Sequence, residues 1–212
     1  MKRFIDLNNW DRAHLFRSYL GTDLPYIIIG ADLDVTKLYR FTKQQHLSFY
    51  FSMIYAATKT ADEIVNFRYR FQDGQPFEIP RNTAFATHMR KGSEMFHMVA
   101  CDHYDSLKEF ALKNHEKGEI PLPESGLDQL KGRDDIINYS CIPWISYNHF
   151  FRTISKCGID CNPKISMGKF KKEQDRILLP FSVQVHHGLM DGYHVGKYYN
   201  LLEEYLQSEN WN

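Results

Sequence analysis

The spacing of apolar positions switches repeatedly between helical and strand periods. Over residues 10–20, Leu15, Phe16, Tyr19 and Leu20 fall near one helical face, and Gly21 follows where a left-handed cap ends a helix most readily. That pattern predicts a helix. Tyr26, Ile27, Ile28 and Ile29 form a β-branched apolar run that continues as an alternation through Ala31, Leu33 and Val35, as a strand with one buried face would. Helices are predicted near residues 36–45 and over 48–64, the second with Phe49, Met53, Ala56, Ala57 and Ile64 on an apolar stripe. Residues 68–72 and 75–79 flank Asp73-Gly74, a strong hairpin signal, and Pro76, which has no N–H, points to an edge position for the second strand. Further strands are expected over 83–89, 94–101, 136–142, 164–171 and 176–186, and further helices over 106–116 and 192–207. The last helix carries Val195, Tyr199, Leu202 and Leu206 at i, i+4, i+7 and i+11. Pro121, Pro123, Gly126 and Gly132 mark residues 118–134 as a loop. Strands and helices intermix throughout, so the expected class is α/β with a mixed sheet, and 212 residues at about 150 per domain favour a single domain over 1–212.

Composition narrows the class. With 43% hydrophobic and 25% charged residues the chain can bury a full core, which excludes wholesale disorder. Lys+Arg 26 balances Asp+Glu 26, leaving no overall excess to attract nucleic acid or an anionic membrane. The richest apolar stretch, 178–185, is broken by Pro180, Ser182 and Gln184 and falls short of the roughly 18 to 20 residues of a membrane span. Charges and amides interrupt the first ten positions, where an export signal would place its apolar region, so a cytoplasmic location is expected. Cys101, Cys141, Cys157 and Cys161 are too few for a disulfide scaffold. Cys157-x3-Cys161 also lacks a second pair, so free thiols and no metal are expected.

Chemistry concentrates in residues 179–194. A buried strand ends in His186 and His187, turns briefly, and enters a helix at Asp191. In a period-2 strand the two histidines point to opposite faces, so only one can look into a given cleft. A histidine at a strand end, where carbonyl groups can hold its tautomer, can serve as a general base. The residues alone equally allow Asp191 to be a plain helix N-cap and both rings to be packing groups. A metal site from His186, His187, Asp191 and His194 is disfavoured, because that spacing does not make four ligands converge.

His-His-x-x-x-Asp-Gly at such a junction resembles the signature of coenzyme A-dependent acyltransferases. The segment Gln184-Val-His-His-Gly-Leu-Met-Asp-Gly-Tyr-His194 is similar to the active-site segment of the type A chloramphenicol O-acetyltransferases. Trp10-x-Arg12, Met53-Ile-Tyr55 and Ser140-Cys-Ile-Pro-Trp144-Ile-Ser146 agree in order and approximate spacing, so the resemblance spans nearly the whole chain. It implies a two-layer sandwich, a mixed sheet covered by helices, assembled as a homotrimer with active sites between subunits. It also implies acetyl-CoA as co-substrate, a small-molecule alcohol as acceptor, and direct transfer to the 3-hydroxyl of chloramphenicol or another hydroxyl. An inactive trimeric scaffold is the remaining alternative.

Position by position, the resemblance makes His187 the catalytic base and Ser140 the donor to the oxyanion. Arg12 and Asp191 become an ion pair holding the turn, which disfavours a Ser140–His187–Asp191 nucleophilic triad. Ser166 stands where the family usually has a threonine that positions a water. Trp144, Lys169 and Phe170 match the coenzyme A channel, and Tyr19 and Phe96 match aromatic groups of the acceptor pocket. Three departures bear on these roles. Met190 replaces a cysteine, which argues against covalent thiol chemistry. Ser48 lies where some members carry a lysine for the 3′-phosphate, and Arg152 falls near pocket-lining positions that are otherwise apolar.

Overall fold

A computed structural model describes residues 2–89, 92–120, 126–130, 132–154, 160–208 and 211. In chain order the elements are β1 (Arg3–Phe4), α1 (Ala13–Leu20), β2 (Tyr26–Asp34), α2 (Thr36–Gln44), α3 (Phe49–Asp62), β3 (Tyr69–Gln72), β4 (Gln75–Glu78), β5 (Thr83–Met89), β6 (Phe96–Ala100), α4 (Leu107–Glu119), β7 (Ile136–Ile142), β8 (Lys164–Gly168), β9 (Lys171–Glu173), β10 (Arg176–His186) and α5 (Gly192–Gln207). Single 3-10 turns lie at Val65–Arg68 and Leu127–Leu130.

Seven strands form the main sheet in the order β2-β10-β8-β7-β5-β6, with β9 also on β10. β5, β7 and β8 run parallel while the β10 and β6 pairings are antiparallel, so the sheet is mixed as expected. Period-2 alternation sorts its two faces. Leu179, Phe181, Val183 and Val185 of β10 join Ile165 and Met167 of β8 in the core under α2 to α5. Ser182, Gln184 and His186 take the other face by the same alternation. No helix among the described residues is long and apolar enough to cross a membrane.

Four expectations are corrected. β4 is the middle strand of a small sheet, β1-β4-β3, and not an edge. Pro76 is tolerated there because it sits where the β1 pairing ends and supplies only its carbonyl, which accepts the Ile5 N–H at 3.0 Å. Gly21 closes α1 at φ −94°, so the cap is not left-handed. The strand expected over 164–171 splits into β8 and β9, which pair with different stretches of β10. Helix α4 runs on to Glu119, taking in Gly118, while Pro121 and Pro123 of the expected loop lie outside the described residues. Cys101, Cys141 and Cys161 are free thiols, and Cys157 lies outside the described residues.

Candidate active site

β10 ends at His186, and the two histidine rings go to different neighbours. His186 is buried edge-on against Tyr26 and Phe71, whereas His187 is half-buried and stacks on Tyr19 of α1 at 4.3 Å between centroids. Gly188 N donates to His186 Nδ1 at 3.1 Å, and His187 Nδ1 lies 3.2 Å from the Met190 carbonyl oxygen. A carbonyl oxygen can only accept, so the His187 proton sits on Nδ1 and its Nε2 carries the lone pair.

The turn that aims this ring is held by side chains. The carbonyl oxygens of His187 and Gly188 accept from Arg12 Nη2 (2.8 Å) and Nε (2.9 Å), that of Leu189 from Asn66 Nδ2 (3.0 Å), and that of Met190 from His187 Nδ1. Four successive carbonyls are thereby satisfied, in a loop too tight to satisfy them itself. Gly188 allows a close approach, since a Cβ there would lie 3.0 Å from His186 Cε1 and the ring would have to shift to admit it.

Asp191 caps α5 by accepting from Tyr193 N, and its carboxylate pairs with Arg12 Nη1 at 2.8 Å and with His194 Nδ1 at 2.9 Å. Burial alone would raise the Asp191 carboxyl. The Arg12 hydrogen bond and the His194 and Arg12 charges outweigh it and hold the group at about 2. Burial pushes His194 down, against the pull of Asp191. No Asp191 oxygen bonds His187, so the residues do not form a Ser–His–Asp relay.

The second group of expected residues lies elsewhere on the sheet. Ser140 of β7, Ser166 of β8 and Ser182 of β10 stand level by register and share the face away from the main helical core. Two residues further, Ile142 and Gly168 end these parallel strands, and the chain leads to Trp144 and Lys169, both exposed. Lys169 N donates to Ile145 O at 2.8 Å, and Phe170 packs its ring 5.3 Å from that of Tyr39. Trp144, Lys169 and Phe170 therefore gather past the strand ends, with Ser140 and Ser166 just inside. Burial pushes the Cys141 thiol beside Ser140 up to about 11, so it stays protonated and weakly nucleophilic at neutral pH. Arg152 lies on this polar face, with its backbone N 2.7 Å from Gln184 Oε1 and its Nη1 2.8 Å from Asn138 O. Burial lowers its guanidinium.

One chain does not unite these groups. His187 lies five residues beyond Ser182 and two strands from Ser140, roughly 16 Å along the sheet and about 10 Å across it. Phe96 is exposed on the outer strand β6, far across the sheet from Tyr19. A cleft lined by Tyr55, Lys59, Asp62, Arg81 and His103 contains none of the expected catalytic or ligand-binding residues, although Tyr55 belongs to the Met53-Ile-Tyr55 match. Asn66 escaped sequence reasoning, because an amide donating to a distant carbonyl leaves no spacing signal.

A mixed sheet under a layer of helices, with a pinned histidine where its longest strand meets the closing helix, is the architecture of an acyltransferase. The chain belongs to the chloramphenicol acetyltransferase family, whose model matches residues 2–203. It is 30% identical over 200 residues to chloramphenicol acetyltransferase 2 of Escherichia coli, covering 94% of each chain. It is also 30% identical over 218 residues to a chloramphenicol acetyltransferase of Staphylococcus aureus, covering 97% of this chain and 96% of that one. A solved chloramphenicol acetyltransferase shares the fold with a TM-score of 0.89 at 23% identity, over 98% of this chain and 100% of that chain. The fold extends to a probable dihydrolipoamide acetyltransferase from Listeria monocytogenes, with a TM-score of 0.63 at 11% identity over 94% and 93%.

Proposed function

We propose that this protein, acting as one domain over 1–212, is an acetyl-CoA-dependent O-acetyltransferase that inactivates chloramphenicol at its 3-hydroxyl. The observation that carries this reading is the His187 ring, with Nδ1 committed to the Met190 carbonyl and Nε2 left with its lone pair. Nε2 takes the hydroxyl proton as the oxygen attacks the thioester carbonyl, a contribution of about 10² to 10⁴-fold. Ser140 O–H donates to the oxyanion, and Ser166 holds a water beside the acceptor. Collapse breaks the C–S bond, and the departing thiolate recovers the proton from the imidazolium. Trp144, Lys169 and Phe170 receive coenzyme A, with the ammonium of Lys169 facing its phosphates. The relatives named above are chloramphenicol acetyltransferases, which supports the same acceptor here.

A reaction that uses both His187 and Ser140 needs a second copy, since roughly 19 Å separates them within a chain. The separation calls for a second copy; that the assembly is a cytoplasmic homotrimer, with Tyr19 and Phe96 contributing to the acceptor pocket from different chains, is what the family resemblance adds to this proposal. Exposed Trp144, Ile145, Phe151, Met95 and Phe96 supply apolar surface for such contacts. Half-buried Arg152 beside Gln184 favours a second reading, in which the acceptor is a more polar alcohol.

The test follows coenzyme A release from acetyl-CoA with chloramphenicol, then with an alcohol panel, comparing wild type with His187→Ala. Release that needs chloramphenicol and vanishes in the variant is the expected result. Release by wild type without any alcohol rules out direct transfer, and a response only to other alcohols moves the assignment to the second reading. No release with any acceptor leaves an inactive scaffold.

A further inference from the structure

We infer that His88, His115 and Glu119 form a binding site for one divalent transition-metal ion of the zinc class, remote from the histidine junction. His88 leaves β5 buried toward the helices, while His115 and Glu119 are four residues apart on α4 and share one helical face. One ligand atom from each side chain lies within 4.8 Å of the others. Two imidazoles and a carboxylate suit zinc at about 2.1 Å per ligand, which requires ligand separations near 3.4 Å, with water in the remaining position. His88 Nε2 and Glu119 Oε1 already meet at 2.7 Å. An incoming ion displaces this hydrogen bond: the neutral imidazole of His88 then carries its one proton on Nδ1, and Nε2 and the Glu119 carboxylate each offer a lone pair to the ion.

Two independent features support a site over a chance cluster. His115 Nδ1 is buried and makes no hydrogen bond, an unusual state for an imidazole nitrogen. Gly118 sits inside α4, where glycine is unfavourable, yet a Cβ there would press within 3.1 to 3.2 Å of the His88 ring. The glycine admits the imidazole. Phe51 packs against both rings, and His97, the register partner of His88, meets its ring edge-on at 5.5 Å. These contacts fix the orientation of the ligands from the apolar side, leaving the Glu119 side open to water. The i, i+4 spacing of His115 and Glu119 becomes helical only because α4 runs on to Glu119, beyond its expected end, and the third ligand comes from β5, which spacing cannot reveal. His88 follows Ala84 and Ala86 on the helical side of the sheet while Ser140 takes the other side, so the site stands apart from the acyl-transfer reading.

The test titrates the chelator-stripped full chain with zinc chloride by calorimetry and counts retained zinc by elemental analysis after dialysis. One ion per chain is expected, with affinity weakened at least about tenfold in His115→Ala and in Glu119→Gln. His46→Ala, at an exposed histidine elsewhere, should bind as wild type does. Cobalt should give the intense visible bands of a four-coordinate site in wild type and not in the two variants. Glu119→Gln is exposed and keeps a hydrogen-bonding group toward His88, so circular dichroism should report an intact fold. Zinc below one equivalent in wild type, undiminished binding in folded Glu119→Gln, or an equal loss in His46→Ala overturns the assignment.

Discussion

Arg12 Nη1 donates to Asp191 Oδ2 over 2.8 Å while the other nitrogens of the same guanidinium bond the carbonyls of His187 and Gly188. One side chain from the start of the chain thus ties the helix cap to the turn that carries His187. A buried pair of this kind adds little net stability, because desolvation offsets the attraction, but removing one half strands the other. Arg12→Ala is expected to lose about 2 to 3 kcal/mol, below the fully buried range because Asp191 is partly solvated. If the pair aims the base, kcat falls while KM holds. Urea denaturation beside steady-state kinetics checks both, and an unchanged kcat would reduce Arg12 to a structural group.

The same pair gives a pH dependence of definite sign. Asp191 is held at about 2 in the folded chain, below its ordinary 3.8, so it binds its proton less readily folded than unfolded. Its stabilising contribution is complete above about pH 4 and disappears as pH falls through about 2. The stability gap between wild type and Arg12→Ala should therefore narrow between pH 4 and 2. Denaturant titrations at stepped pH measure the gap, and a gap that stays constant over that window removes Asp191 as the linked group.

Separation of His187 from Ser140 within one chain makes complementation a direct test. His187→Ala should lower kcat by about 10² to 10⁴-fold and Ser140→Ala by about 10² to 10³-fold. Co-expressed, the two inactive chains can form mixed assemblies in which an intact His187 meets an intact Ser140. Recovered coenzyme A release from the mixture is expected. Mixed assemblies that form and stay silent would mean that the two groups do not share an intersubunit site.

How much of this was legible in the sequence depended on the reach of each signal. Strands β7 and β10 and helix α5 fall on their expected bounds because period and end signals are local: β10 alternates from Leu179 to His186, and Asp191 caps α5. Pro76 misled because its rule concerns a missing N–H, and only the position of β1 decides whether that N–H is needed. Helix α3 showed an apolar stripe, yet Phe51 through Thr58 are all buried, because α4 and α5 flank a helix that already faces the sheet. For the site, adjacency in the chain exposed the His187–Asp191 turn. The Arg12–Asp191 contact, 179 residues apart, was reachable only through a family pattern. Asn66 and the distance from Ser140 to His187 were not reachable, since the first is a contact between two turns far apart in the chain and the second depends on strand order and register.

A last prediction separates two glycines. Gly30 of β2 is paired with Ser182, in the row that continues through Ser166 to Ser140. A Cβ on it would fall 1.8 Å from the backbone oxygen of Asn148, so the segment after β7 lies directly on this strand and must shift to admit a methyl group. Gly30→Ala must push that segment outward, taking with it Tyr147, which packs on Gly168, and Arg152, which bonds Gln184. A loss of about 1 to 3 kcal/mol is expected, with KM rising for the substrates while the His187 turn stays intact. Gly196 of α5 has open space around its missing Cβ and helical backbone, so Gly196→Ala should gain about 0.5 to 1 kcal/mol with no kinetic change. Thermal melts and kinetics on both variants decide the matter: equal effects would mean that contact with the segment after β7 has no special part in forming the polar face around Ser140.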